Sequence, residues 1–352
     1  MPKRRRRQAK PGAADPCRVI RLWLWLVAAG LFAMVLVGAG ARLSESGLPI
    51  TQWTPNISAM PPLSAAGWSE AFDRYRQNPQ YLRLFPELDL ARFETIYLWE
   101  WSRRLLERLI GALFALPFLF FWWRGRIVGS LRWRLAFIFA LVALQAFADW
   151  GIDSSGLVHR VEAAPQDLAI RLLLSSSAFA ATIWTAIGLA PNYRDPLGPD
   201  ARSFGPEAGA MLGLSLAQTG LGGLVAGLRA GFTYNSWPLM DGHFIPPSDD
   251  LLFLKPWAAN FIGNVTMVQF QHRMAGYVVL ALALFHAFHI GRETVAKRAA
   301  RRARVLAGLM AIQAGLGIAA LLLVAPPPIV LAHQAFAMIV LAMATIHLRK
   351  LG

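Results

Sequence analysis

The sequence predicts an all-α integral membrane protein of eight transmembrane helices, arranged as two tandem four-helix-bundle repeats. Three observations predict it. First, only 16% of the 352 residues are charged while 56% are hydrophobic, and the mean hydropathy is +0.42. A soluble domain is about a quarter charged, so this chain needs a solvent other than water along much of its length. Second, eight stretches approach the ~20 mostly apolar residues needed to cross a bilayer. Third, the basic residues collect in alternate loops between those stretches.

The stretches fall at about 22–41, 105–123, 135–152, 168–190, 207–228, 272–290, 305–324 and 331–348. The tail before the first contains Lys3, Arg4, Arg5, Arg6, Arg7 and Lys10. Arg124, Arg126, Arg132 and Arg134 lie between the second and third, and Arg194 and Arg202 between the fourth and fifth. Arg292, Lys297, Arg298, Arg301, Arg302 and Arg304 lie between the sixth and seventh, and Arg349 and Lys350 follow the eighth. The positive-inside rule places all of these in the cytoplasm, with both termini. An even number of spans follows, in agreement with hydropathy. The net charge of +15 is therefore read as topology rather than as a nucleic-acid surface. The apolar run from Leu22 to Gly40 is too long for a signal-peptide core, and no small-residue cleavage site follows it. Cys17 is the single cysteine, which excludes an intrachain disulfide and a cysteine metal cluster.

Two long loops, 42–104 and 229–271, are predicted on the outer side, where such length is usually functional. The first should carry a surface helix capped at Ser64 and a second helix that starts at Asp89 and continues through Glu100 into the second span. Weak internal similarity joins the halves. GARLSESGLPITQW follows the first span and GLRAGFTYNSWPLM the fifth. EWSRR opens the second span and QFQHR the sixth; LQAFADW lies in the third and IQAGLGI in the seventh. Their common order supports two repeats. The expected division is a basic tail at 1–21, an N-terminal four-helix repeat at 22–190, a cytoplasmic linker at 191–206 and a C-terminal repeat at 207–352.

Seven histidines occur: His159, His243, His272, His286, His289, His333 and His347. His272 begins the predicted sixth span and His333 the eighth, both from the outer side, so the two share one depth. Two imidazoles at one depth on two helices of a bundle can ligate a haem iron from opposite faces. The alternative is a pair of helix-end histidines hydrogen-bonded at the interface; the shared depth and the adjacent Arg273, which could pair a propionate, favour haem. The N-terminal half carries Arg103 and Arg171 at the matching positions, and arginine has no lone pair for a metal. Glu100, Arg103, Arg104, Glu107 and Arg108 form a charged stripe on one helix. It is either an ion-paired helix end or a polar pocket that clamps carboxylates.

At these residues the chain resembles the haem A synthases, in the longer form of alphaproteobacteria and mitochondria. The motifs are RLSESGLPITQWTP at 42–55, MPPLS at 60–64, IYLWEW at 96–101, LVAGLRAGFTYNSWPLMDGHFIPP at 224–247, VQFQHRMAGY at 268–277 and HQAFA at 333–337. The resemblance implies two four-helix repeats and oxidation of the C8 methyl of haem O to a formyl group, with water as oxygen source. It also implies a haem b cofactor whose iron is ligated by His272 and His333, and a catalytic role for Glu100. Four positions depart from the pattern. Arg103 and Arg171 replace the two substrate-side histidines, Glu107 replaces a glycine, and Gly263 stands where an acidic residue is usual.

Three functions remain open on the sequence: a haem A synthase, a non-catalytic haem-binding relative acting in oxidase assembly, and a dihaem electron-transfer cytochrome. The third rests on His272 with His286 and His333 with His347, each pair four turns apart, ~21 Å along a helix. Implied partners are haem O, haem O synthase, a membrane electron acceptor, the lipid bilayer and a second copy in a homo-oligomer, with no nucleic acid. The implied location is the bacterial cell inner membrane.

Overall fold

The computed structural model describes residues 17–43, 60–77, 81–82, 86–154, 165–195, 204–292 and 297–352, and of residues 148–154 the backbone alone. The basic tail before Cys17, the loop segment 44–59 with most of the RLSESGLPITQWTP motif, His159 and linker residues 196–203 lie outside the described residues. We number nine helices: α1 (Arg18–Leu43), α2 (Ala65–Arg76), α3 (Leu90–Trp123), α4 (Ser130–Ser154), α5 (Pro165–Gly188), α6 (Gly205–Gly227), α7 (Val265–Gly291), α8 (Lys297–Leu322) and α9 (Pro327–Leu351). All but α2 are long and apolar enough to cross a membrane, which gives the eight spans expected. Among the described residues there is no strand, only an isolated bridge between Met240 and His243.

The predicted caps form. Ser64 Oγ accepts from the Gly67 amide at 3.2 Å, and Asp89 Oδ1 accepts from the Arg92 amide at 2.8 Å, each satisfying an amide that the helix leaves open. At 34 residues, α3 extends ~51 Å, well beyond ~30 Å of hydrocarbon. The excess is its N-terminal end, which packs on α2 through aromatic rings: Trp68 meets Tyr97 edge-on at 5.2 Å, and Tyr75 stacks on Phe93 at 5.2 Å.

Each membrane helix starts earlier than hydropathy suggests, and two of these shifts bear on the histidines. Asn264 caps α7, accepting from the amides of Thr266 and Met267 at 2.9 and 3.3 Å, so α7 begins at Val265 rather than 272. Helix α9 begins at Pro327, where proline suits a first turn, rather than at 331. His272 and His333 therefore lie about two turns inside their helices. Their shared depth is retained because both starts move in the same direction.

In the first half α1 contacts α3, α3 contacts α4, α4 contacts α5, and α5 returns to α1. In the second half α6 contacts α7, α7 contacts α8, α8 contacts α9, and α9 returns to α6. The halves meet where α5 packs on α6 and α9, and where α1 packs on α9. Gly223 and Gly227, one turn apart on α6, make the seam tight. A Cβ at Gly223 would lie 2.6 Å from Ala169 Cα, and one at Gly227 would lie 2.6 Å from Pro165 Cα. Small residues at this spacing let membrane helices approach backbone to backbone.

Helix ends sort into two layers. At one, Arg302 pairs with Asp195 at 2.5 Å, the Asp195 amide donates to the Lys350 carbonyl, and Arg349 covers Trp184 and Tyr193 at 4.7 and 4.6 Å. At the other, Arg42 of α1 donates to the Ala226 carbonyl of α6, and Asn235 donates to the Leu321 carbonyl of α8 at 2.7 Å.

Candidate functional site

In the second bundle, α7 and α9 stand diagonally across the ring and carry His272 and His333. Both imidazoles are half-buried.

Each ring has the same surroundings, supplied by a different neighbouring helix. Gln218 of α6 donates from Nε2 to the His272 carbonyl at 2.9 Å, and the same nitrogen lies 3.4 Å from His272 Nε2. Gln313 of α8 donates to the His333 carbonyl at 3.1 Å, and lies 3.4 Å from His333 Nε2. One turn after each glutamine is a glycine: a Cβ at Gly222 would lie 3.5 Å from His272 Cε1, and one at Gly317 would lie 2.9 Å from His333 Cε1. The sequences are QTGLG at 218–222 and QAGLG at 313–317. This duplication is visible in the chain, but matching the third span to the seventh conceals that the fifth carries the same motif.

The residues fit a haem. Two imidazoles are carried by helices diagonal in the ring, and each has a buried Nδ1 without a hydrogen-bond partner. Arg273, expected near a propionate, spends most of its donors on the outer loop. Nη1 donates to the Ser236 carbonyl at 3.0 Å, and Nη2 donates to the Tyr234 carbonyl at 2.6 Å. Its buried Nε alone has no hydrogen-bond partner. Gln269, one turn earlier, donates to the carbonyls of Ala230 and Thr233 at 2.7 and 2.6 Å, so Gln269 and Arg273 of VQFQHR fasten the loop over the bundle.

Nearer the opposite layer of helix ends, His286 and His347 are fully buried and joined directly, Nε2 to Nε2, at 2.8 Å. Glu207 holds this pair: its carboxylate meets His286 Nδ1 and His289 Nδ1, each at 2.7 Å. Two metal–nitrogen bonds of about 2 Å each would separate ligand nitrogens on opposite sides of an iron by about 4 Å. The second histidine pair is therefore closed on itself, against the dihaem reading.

In the first bundle the charged stripe is an ion-paired network. Glu100 is buried at 7% exposure and accepts from Arg103 Nε and Nη2 at 3.0 and 2.7 Å, and from Arg104 Nε at 2.7 Å. Arg103 also pairs with Glu107. The Arg171 carbonyl accepts from Ser175 Oγ at 2.9 Å, and the same hydroxyl meets Gln145 Oε1 at 2.9 Å. Gln145 is the third-span counterpart of Gln313, and here its oxygen has a partner.

Residues 21–345 match the profile of one family, cytochrome oxidase assembly protein (COX15-CtaA). The chain belongs to that family. Curated relatives extend the likeness over nearly the whole length. It is 48% identical over 344 residues to the haem A synthase of Beijerinckia indica, covering 98% of this chain and 96% of that protein. It is 47% identical over 338 residues to the haem A synthase of a Methylobacterium species (strain 4-46), covering 96% and 93%. It is 45% identical over 339 residues to that of Rhodopseudomonas palustris (strain BisA53), covering 96% and 92%. The chain is thus a multi-pass membrane protein with eight helices long and apolar enough to span among its described residues.

Proposed function

We propose that the chain is a haem A synthase of the inner membrane that oxidises the C8 methyl of haem O to a formyl group and supplies haem A to terminal oxidases. The observation that carries the reading is a pair of histidines on diagonal helices of the second ring, each with a buried Nδ1 that has no hydrogen-bond partner, in a chain nearly half identical to haem A synthases end to end. His272 and His333 would hold a haem b, which would supply one-electron transfer to an acceptor outside the bundle. Arg273 and Gln269 hold the outer loop over this end, and the free Nε of Arg273 is the donor left for a propionate.

The chain divides into two four-helix repeats joined by the 191–206 linker, with the N-terminal repeat facing substrate. Matching rings of helix neighbours support this division. Both termini are cytoplasmic, supported by the basic residues at the Asp195 layer of helix ends. In the substrate-side half Glu100 is the acidic group next to the reacting methyl. Fixed by Arg103 and Arg104, it serves as a stationary negative charge for the cationic character that develops as the methyl is oxidised. Haem O synthase as donor, and a second copy of the chain, complete the proposed partners.

One observation favours a second reading, a haem-binding assembly factor without turnover. Both carboxylate oxygens of Glu100 are already engaged by arginine, and both substrate-side histidines are absent. The test is to express the chain with a haem O supply, separate the extracted haems by chromatography and count bound haem in the same sample. Haem A with one retained haem b supports the synthase; retained haem b without any haem A overturns it in favour of the assembly factor.

A further inference from the structure

We propose that Glu207, His286 and His347 form a proton relay between the Asp195 layer of helix ends and the interior of the second bundle, and that it moves a proton by inverting the tautomers of both rings. The relay lies about four turns from His272 and His333 and does not depend on any ligand that they hold.

The members come from three helices. Glu207 stands in the first turn of α6, His286 and His289 near the end of α7, and His347 near the end of α9. Each contact is direct. Glu207 Oε1 meets His289 Nδ1 at 2.7 Å, Glu207 Oε2 meets His286 Nδ1 at 2.7 Å, and His286 Nε2 meets His347 Nε2 at 2.8 Å. Exposure falls along this line. The His289 side chain is 45% exposed and that of Glu207 20%, whereas His286 and His347 are fully buried. The inner end is open, since His347 Nδ1 is buried and has no hydrogen-bond partner. The other charges around the line lie apart from it or are paired. Glu207 is the only ionisable residue of α6, α5 has none after Arg171, and α7 has only these two histidines after Tyr277. On α8, Lys297, Arg298, Arg301 and Arg304 are exposed, and Arg302, near His347, pairs with Asp195. On α9, Arg349 lies on Trp184 and Tyr193, and Lys350 follows it in the last turn.

The contacts set where the protons are. Two ring nitrogens 2.8 Å apart need one proton between them, because two lone pairs would otherwise face each other. An ionised carboxylate only accepts, so with Glu207 ionised both Nδ1 atoms that meet it carry protons. His286 then has a bare Nε2, His347 donates to it from Nε2, and His347 Nδ1 is bare. That bare atom is the one left without a partner. When water delivers a proton to His347 Nδ1, the His347 Nε2–H bond breaks as His286 Nε2–H forms, and His286 Nδ1–H breaks as Glu207 Oε2–H forms. One proton enters at the inner end and one arrives on the carboxylate. Every hydrogen bond of the line survives, two of them with donor and acceptor exchanged. Neither ring ends as an imidazolium, and the single negative charge of the three groups is neutralised. His289 still donates to Oε1 and so keeps the outer end in place. The reverse shift carries a proton inward. Groups coupled this closely titrate as a unit.

The experiment uses the full chain with nitrogen-labelled histidine in lipid bilayers, read by solid-state NMR from mildly alkaline to mildly acidic pH. His286 and His347 are identified by the correlation between their facing Nε2 atoms, which also reports that the pair is intact. On the alkaline side the protons are expected on His286 Nδ1 and His347 Nε2. On the acidic side they are expected on His286 Nε2 and His347 Nδ1, with both rings inverting at one midpoint. A protonated carboxyl band should appear in the infrared spectrum at that same midpoint. Glu207→Gln keeps the size but cannot take up a proton, and is expected to lose the band and to fix both rings in one tautomer at every pH. Rings that become imidazolium, that titrate at separate midpoints or that never change in the parent overturn the proposal. So does an inversion that persists in Glu207→Gln. The parent's spectra decide the matter by themselves if that variant does not fold.

Discussion

His286 and His347 share a hydrogen bond of 2.8 Å, Nε2 to Nε2, about four turns along α7 and α9 from His272 and His333. The bond makes one pair of helices treat its two pairs of histidines differently: in one each Nδ1 has no hydrogen-bond partner, the other is closed and held by Glu207. His286→Ala should accordingly leave one low-spin haem per chain. It should also destabilise the bundle by about 1–3 kcal/mol, since His347 and Glu207 lose a buried partner. Absorption spectra with haem quantitation, and thermal unfolding in detergent, read the two effects separately. A fall in haem per chain at unchanged folding would restore the dihaem reading.

Replacing either outer histidine has the opposite signature. His272→Ala and His333→Ala should each abolish the low-spin spectrum, because one imidazole cannot hold the iron six-coordinate. Absorption and EPR spectra of the purified variants check this, and a low-spin haem surviving in either variant would rule out the assigned pair.

The layered helix ends and the loop charges together predict sidedness. In a Cys17→Ser background, a cysteine introduced at the exposed Ser248 should react with a membrane-impermeant maleimide from the outer side of intact cells. Reaction only after the membrane is opened would reverse the topology.

Arg103 bridges Glu100 and Glu107, and Arg104 shares Glu100. Arg103→Ala removes that bridge while Arg104 keeps Glu100 paired, and should cost about 1–3 kcal/mol of stability. Restoring histidine at both 103 and 171 should raise haem A output in the haem O feeding assay. A parent that already makes haem A at the level of the double variant would show that histidine ligation of substrate is dispensable here.

The α5–α6 seam predicts a steric effect unrelated to chemistry. Gly223→Val inserts side chain where Ala169 backbone stands 2.6 Å from the first added carbon, and overpacking of this kind costs about 1–3 kcal/mol. Limited proteolysis should cut the variant between the bundles faster than the parent.

Much of the fold was legible because it rests on long-range regularities. Span length, loop charge and the caps at Ser64 and Asp89 follow from composition and local backbone chemistry, and the structure has them. Where helices meet loops the reading was less sharp. The start of α7 was placed too late because Gln269, Gln271 and Arg273 look like the end of a hydrophobic run, whereas Gln269 and Arg273 bond loop carbonyls and the helix continues past them to Asn264. The shared depth of His272 and His333 survived because depth depends on span order alone. Gln218 and Gln313 were missed: their significance lies in which helix each meets, and pattern within a single span does not contain that. For the same reason the pairing of His286 with His347 could be seen as a spacing but not as a contact.

The close approach at Gly223 and Gly227 bears on how such a chain can drift. Helix α5 is backbone against α6, and α6 in turn carries Gln218 to His272. The first bundle is thus the ground on which one wall of the second is built. Substitution in that bundle is filtered for shape before it is filtered for ligand set. An arginine that closes on glutamates of its own helix passes such a filter; a methyl group on Gly227 does not. The first half thus bears on the second through backbone shape, independently of what its own side chains bind.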